Sequence, residues 1–114
     1  YFYNRREIPG HGVFLAEVPT TAGTGAEITP NAVLLDPETG IKQSLRGTGL
    51  YADLALVDPE LTYDCPPAVT AASGFDALTQ AIESFISRKA NPVSKTLAMQ
   101  AAKNILSSLH RRAA

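Results

Sequence analysis

Tryptophan is missing from this 114-residue chain, cysteine and methionine occur once each, and neither sign of charge is in excess. A lone thiol, Cys65, cannot close an internal disulfide, so a reducing, cytoplasmic home is expected. Beside Pro66 and Pro67, Cys65 reads as a loop or packing residue rather than a reactive thiol. Ten basic and eleven acidic residues give a net charge of -1. That supplies neither a basic field for nucleic acid nor a polybasic patch for a membrane surface. No apolar run is long enough to span a bilayer, and the opening residues do not have the order of a signal peptide. A Ser-His-Asp order and a Cys-His pair are both lacking, so no catalytic nucleophile stands out. Internal repeats, coiled-coil heptads and low-complexity tracts are absent as well.

What remains is 45% apolar and 18% charged residues, a balance that suits a folded domain with a modest core. The chain starts without Met at Tyr1-Phe2-Tyr3-Asn4-Arg5-Arg6, in mid-pattern. This is expected of a strand or loop end within a larger domain rather than of an arm that stacks on nucleic acid.

The centre of the sequence is residues 19–29, with four threonines, two glycines and two alanines in eleven positions. Residues 13–18 precede it and read as a buried strand. Small residues let backbone approach a ligand closely, and threonine hydroxyls and exposed N–H groups can donate to phosphate oxygens. A strand running into such a loop is a common cradle for a nucleotide. It is not a Walker A loop, because no Gly-Lys-Ser/Thr follows. Nor is it the usual dinucleotide fingerprint, because Ile28 stands where the third glycine would be. A phosphate-contacting loop and an ordinary Thr/Gly connection both remain open on residue types alone.

Downstream, residues 32–36 read as a strand, Pro37-Glu38-Thr39-Gly40 as a turn, and residues 41–45 as the return strand of a hairpin. Residues 46–51 form a loop. The apolar run 54–57 suits a buried, parallel strand. From Pro67 the pattern turns helical, with apolar positions 75, 78, 82, 85 and 86 on one face. Gly74 is expected to break or bend this run, and Ser73 to cap the segment after it. Asn91-Pro92 offers cap and first-turn chemistry for a last helix, whose stripe is Val93, Leu97, Ala101, Ala102, Ile105 and Leu109. The fold class is thus α/β followed by all-α.

Asp76 and Gln80 stand four apart, so they share one helix face and could form half of a metal site. An Asp near a helix start is also a common dipole or capping residue.

Two motifs carry a family resemblance. Residues 19–27, Pro-Thr-Thr-Ala-Gly-Thr-Gly-Ala-Glu, closely resemble the PTTAGTGSE signature of the iron-containing (group III) alcohol dehydrogenases. Residues 74–83, Gly-Phe-Asp-Ala-Leu-Thr-Gln-Ala-Ile-Glu, look like that family's GxDALTHAIE, with Val57-Asp58-Pro59-Glu60-Leu61 between the two. The resemblance covers nearly all of the chain after about Val13. It implies a dehydroquinate synthase-like architecture in which the chain is an internal section across a domain junction. Residues 1–65 would end an α/β dinucleotide-binding domain, and 66–114 would begin a helical metal and substrate domain. The implied activity is reversible hydride transfer between NAD or NADP and a small alcohol or aldehyde, assisted by a divalent metal, iron or zinc. A homodimer is the implied assembly.

Residue by residue, Thr20, Thr21 and Thr24 match threonines that contact the dinucleotide, and Thr29 and Asn31 match further contact positions. Lys42 matches a lysine whose ammonium reaches the cofactor, and Leu61 an apolar contact near its adenine or ribose. Asp76 matches a carboxylate that binds the catalytic metal with three histidines, one of which sits where this chain has Gln80. An amide oxygen is a harder, weaker donor than imidazole nitrogen. Gln80 would therefore ligate through oxygen, hydrogen-bond beside the site, or belong to a metal-independent reductase. Glu83 matches a signature glutamate, with a helix-face ion pair or hydrogen bond as its expected role. His11 and His110 match no ligand position and read as surface residues. The reading from another class is a truncated, catalytically silent folding or interaction module.

Overall fold

The structure, a computed structural model, describes residues 12–112. The expectations for Tyr1 to Arg6 and for His11 lie outside the described residues, as does the side chain of His110. The elements are β1 (Ala16–Glu17), β2 (Asn31–Leu35), β3 (Lys42–Arg46), β4 (Leu54–Ala55), α1 (Pro67–Ile86) and α2 (Pro92–Arg112). Single 3-10 turns lie at Ala26–Ile28, Thr48–Leu50 and Pro59–Thr62. A short α/β segment therefore precedes the helices. The chain divides into two compact units: residues up to Pro19 with Gly25–Asp58, and Thr20–Thr24 with the chain from Pro59 onward. No helix among the described residues is long and apolar enough to cross a membrane.

In the first unit β1 and β4 pair in parallel, Ala16 with Leu54 and Glu17 with Ala55. Asp53 closes the start of this pair. Its carboxylate accepts from the Leu15 N–H at 2.9 Å, and its own N–H donates to the Leu15 carbonyl at 2.8 Å. Both strands are shorter than the apolar runs suggest, and neither is buried: Val13 is 81% exposed and Val57 65%. Parallel strands are normally covered on both faces by a wider sheet and its crossovers. Among the described residues the sheet is two strands wide.

The hairpin forms as the turn residues dictate, each strand shifted by one position. The Asp36 N–H donates to the Ile41 carbonyl at 2.9 Å, and the Gly40 N–H to the Asp36 carbonyl at 2.8 Å. The Asp36 carboxylate accepts from the Thr39 hydroxyl at 2.7 Å and the Glu38 N–H at 3.0 Å. Those bonds hold its pKa below the usual carboxylate value, the Thr39 hydroxyl contributing most. In the antiparallel register Asn31 faces Arg46, Val33 faces Ser44 and Leu35 faces Lys42. All six therefore lie on one face of the ribbon.

The second unit is a helical pair. α1 starts with Pro67 at its first position and runs unbroken to Ile86, through Gly74. The expected break at Gly74 is absent. Ser73 is not a cap either: it lies inside the helix, and its hydroxyl donates back to the Thr70 carbonyl at 3.3 Å. α2 begins as its sequence asks. The Ser94 N–H donates to Asn91 Oδ1 and the Asn91 N–H to Ser94 Oγ, each at 3.0 Å, a reciprocal capping pair.

The packed faces match the expected stripes only in part: Leu78, Ala101, Ala102, Ile105 and Leu109 are half-buried as expected. Among the described residues Ala81 and Ala98 are the buried apolar side chains, at 8% and 6% exposure, flanked by half-buried Ala77, Ala101, Ala102 and Ile105. Phe75, Ile82, Val93 and Leu97 are exposed instead. Small residues let the helix backbones approach, so the middle of the seam runs along alanines, with Leu78, Ile105 and Leu109 half-buried. Lys95 closes one end, its ammonium 5.7 Å from the Phe85 ring centroid.

Candidate functional site

The loop after β1 presents hydroxyls. Thr20, Thr21 and Thr24 are all exposed. Thr20 and Thr21 make no hydrogen bond among the described residues, so their donors are available to a ligand. Gly25, at a φ of 64°, occupies the left-handed region and opens the 3-10 turn Ala26–Ile28. Thr29 closes that turn. Its N–H and hydroxyl both donate to the Ala26 carbonyl, at 3.1 and 3.3 Å, so this hydroxyl is committed to backbone.

Beneath Thr20–Thr24, within the helical unit, lies a cavity of about 340 Å³. Ala22 of the loop, Thr62, Tyr63 and Cys65 before α1, and Thr70 and Ser73 of α1 line it. Its size is at the lower end for a small-molecule site, and its wall includes both hydroxyls and apolar groups. Leu61 shares the 3-10 turn with Thr62 and is exposed. Thr62 and Tyr63 were not singled out from the sequence, and Ser73 only as a helix cap. The only hint is that Thr62 and Tyr63 directly follow Leu61.

On the hairpin, Asn31 and Lys42 lie on one face at opposite ends, roughly 13 Å apart along the strand at the usual rise. Lys42 is exposed. Asn31 is half-buried, and its amide oxygen accepts from the Ser44 hydroxyl, a partner that the sequence did not suggest. The structure thus gathers Thr20, Thr21, Thr24, Leu61, Asp76 and Gln80 into one unit, and Thr29, Asn31 and Lys42 into the other.

Asp76 and Gln80 are exposed on successive turns of α1. Gln80 Nε2 donates to Asp76 Oδ2 at 2.6 Å, so the amide nitrogen faces the carboxylate. No group of three or more His, Cys, Asp or Glu side chains gathers among the described residues. Iron and zinc sites take four or more donors. Asp76 and Gln80 fit one edge of such a site, with one carboxylate and one neutral amide oxygen. The Glu83 side chain is exposed and makes no ion pair or hydrogen bond among the described residues, contrary to expectation.

Residues 1–59 match the family model for iron-containing alcohol dehydrogenase, and residues 70–114 match that of the family's C-terminal region. The 1-propanol dehydrogenase PduQ of Citrobacter freundii is 45% identical over 92 residues, which are 81% of this chain and 25% of the relative. Long-chain-alcohol dehydrogenase 1 of Geobacillus thermodenitrificans is 47% identical over 97 residues, 85% of this chain and 24% of the relative. Sulfoacetaldehyde reductase from Bifidobacterium kashiwanohense, solved with NAD+, superposes with a TM-score of 0.92 at 38% identity. That match covers 97% of this chain and 30% of the solved one. The chain spans about a quarter of the length of the curated relatives it matches.

Proposed function

Because this chain belongs to the iron-containing alcohol dehydrogenase family, we propose that it serves reversible hydride transfer between NAD or NADP and a small alcohol or aldehyde. The names of the Citrobacter and Geobacillus relatives support the reaction class, and the NAD+ in the Bifidobacterium structure supports the coenzyme. One observation of the chain itself carries the reading. Thr20 and Thr21 hold exposed hydroxyls with no partner among the described residues, on a loop of small residues.

In this reading Thr20, Thr21 and Thr24 donate to the coenzyme, and Thr29 acts indirectly by closing the turn. Lys42 and Asn31 form a second grip, with the ammonium suited to a phosphate or ribose oxygen. Leu61 offers apolar contact. Residues 1–65 complete the dinucleotide domain and 66–114 open the helical one. The assembly is a homodimer in the cytoplasm. Asp76 would hold a divalent iron or zinc as its anionic donor, with Gln80 as a neutral oxygen donor. Such an ion supplies Lewis-acid polarisation of the substrate oxygen.

A second reading is favoured by the Gln80 amide facing Asp76 at 2.6 Å. There the carboxylate fixes the amide, and its other N–H donates to the substrate oxygen in a metal-independent reductase. Metal analysis separates the two, in an enzyme of the relatives' length carrying this sequence, with and without Gln80→His. Higher iron or zinc occupancy in the variant supports a metal-facing position 80. Unchanged occupancy and activity would remove the ligand role. The coenzyme reading fails if neither NADH nor NADPH binds that enzyme in a fluorescence titration.

A further inference from the structure

The Thr20–Thr24 loop meets α1 at Gly23. A Cβ built on Gly23 would stand 2.5 Å from the Ser73 carbonyl oxygen, 2.8 Å from Ser73 Cβ and 2.9 Å from its carbonyl carbon. Two of these are backbone atoms of a continuous helix, so they cannot yield as a flexible side chain would. The φ of Gly23 is not in the left-handed region, unlike that of Gly25. What Gly23 satisfies is therefore a demand for space. One residue on, a Cβ at Gly74 would stand 2.5 Å from Leu109 Cδ1. At positions 73 and 74, then, α1 is approached closely by both the loop and α2. Ala22, Gly23, Gly74, Ala77, Ile105 and Leu109 meet around an apolar cavity of about 230 Å³. Ser73 lies three residues before Asp76, less than one helical turn away.

From this geometry we infer that Gly23 is a positioning residue. By seating the loop directly on the backbone of α1 at Ser73, it fixes the loop hydroxyls relative to Asp76 and Gln80. The inference rests on the proposed dehydrogenase reading, in which the loop holds the coenzyme and α1 the group beside the substrate. Gly23 itself touches neither. Hydride transfer needs its two carbons at a set separation, and an ångström of misplacement costs about 100-fold in rate. A methyl at position 23 has to lift the loop from α1. Coenzyme contacts lift with the loop and survive, whereas the register against α1 is lost.

The test compares Gly23→Ala with Thr21→Val in an enzyme of the relatives' length carrying this sequence. NADH affinity is read by fluorescence, and turnover with NAD+ and 1-propanol or its 1,1-dideuterated form. Gly23→Ala is expected to leave the NADH Kd within about threefold and to lower kcat by about 10–100-fold, with a larger deuterium isotope effect. A changed Kd with unchanged kcat, or no change in either, overturns the inference. Thr21→Val reports on the underlying reading: if NADH affinity ignores that change, the coenzyme loop is wrong whatever Gly23 does. Should Gly23→Ala fail to fold, or 1-propanol not be turned over, a crystal structure of the unaltered enzyme decides. Gly23 in van der Waals contact with the Ser73 backbone supports the seating. A loop standing off α1 by the width of a methyl group or more overturns it.

Discussion

Removing one hydroxyl at a time from the Thr/Gly loop separates binding from folding. Valine keeps the branched shape of threonine and deletes only the donor. At Thr20 and Thr21 that donor has no protein partner among the described residues, so the fold loses nothing by its removal. A hydrogen bond to a charged coenzyme oxygen contributes about 1.5–3 kcal/mol. Thr21→Val is then expected to weaken NADH binding by roughly 10–100-fold, with a melting temperature near that of the unaltered protein. Thr29→Val is expected to do the reverse. Its hydroxyl is bonded to the Ala26 carbonyl, so the loss falls on the turn, about 0.5–1 kcal/mol of stability. Coenzyme affinity then changes by less than about threefold. Fluorescence titration and thermal unfolding of the two variants give the comparison. Equal NADH affinity in Thr21→Val and the unaltered protein would refute the assignment of these hydroxyls to the coenzyme.

Asn91→Ala removes the side-chain half of the cap on α2 and is expected to cost about 1 kcal/mol, read by circular dichroism melting. Adding Ser94→Ala is expected to cost about 0.5–1.5 kcal/mol more, because the backbone N–H of residue 91 still donates to Ser94 Oγ in the single variant. The hairpin turn carries a pH dependence through Asp36, whose pKa is depressed in the folded chain by Thr39 and Glu38. Its contribution is present above the unfolded pKa and is lost as pH falls through the lower folded value. NMR titration should show that low value, and Thr39→Val should raise it. Cys65 lines the cavity under the loop, so saturating NADH is expected to slow its alkylation by iodoacetamide, followed by mass spectrometry. An unchanged alkylation rate would place the coenzyme outside that cavity.

Local signals in the sequence translated well. Asp36 and Gly40 build the turn expected from Pro37 to Gly40, and Asn91-Pro92 starts α2, because both depend on neighbours within four residues. Long-range packing did not translate. Gly74 suggested a break on propensity, yet the helix continues where Leu109 lies against it. Phe75, Ile82, Val93 and Leu97 dominate any hydrophobic count, whereas the seam formed at Ala81 and Ala98. Periodicity ranks residues by hydropathy and does not register how closely two backbones can approach. The same holds for Gly23: its neighbour Ser73 is fifty positions away, and nothing near residue 23 announces the contact. Asp76 and Gln80 were legible as a face of α1 from their spacing, but the direction of the amide was not.

A crystal structure of an enzyme of the relatives' length carrying this sequence, solved with NADH, bears most directly on the central claim. The Thr20 and Thr21 hydroxyls are predicted to lie about 2.7–3.0 Å from coenzyme oxygens. A coenzyme bound away from Thr20–Thr24, with those hydroxyls still facing solvent, would contradict it.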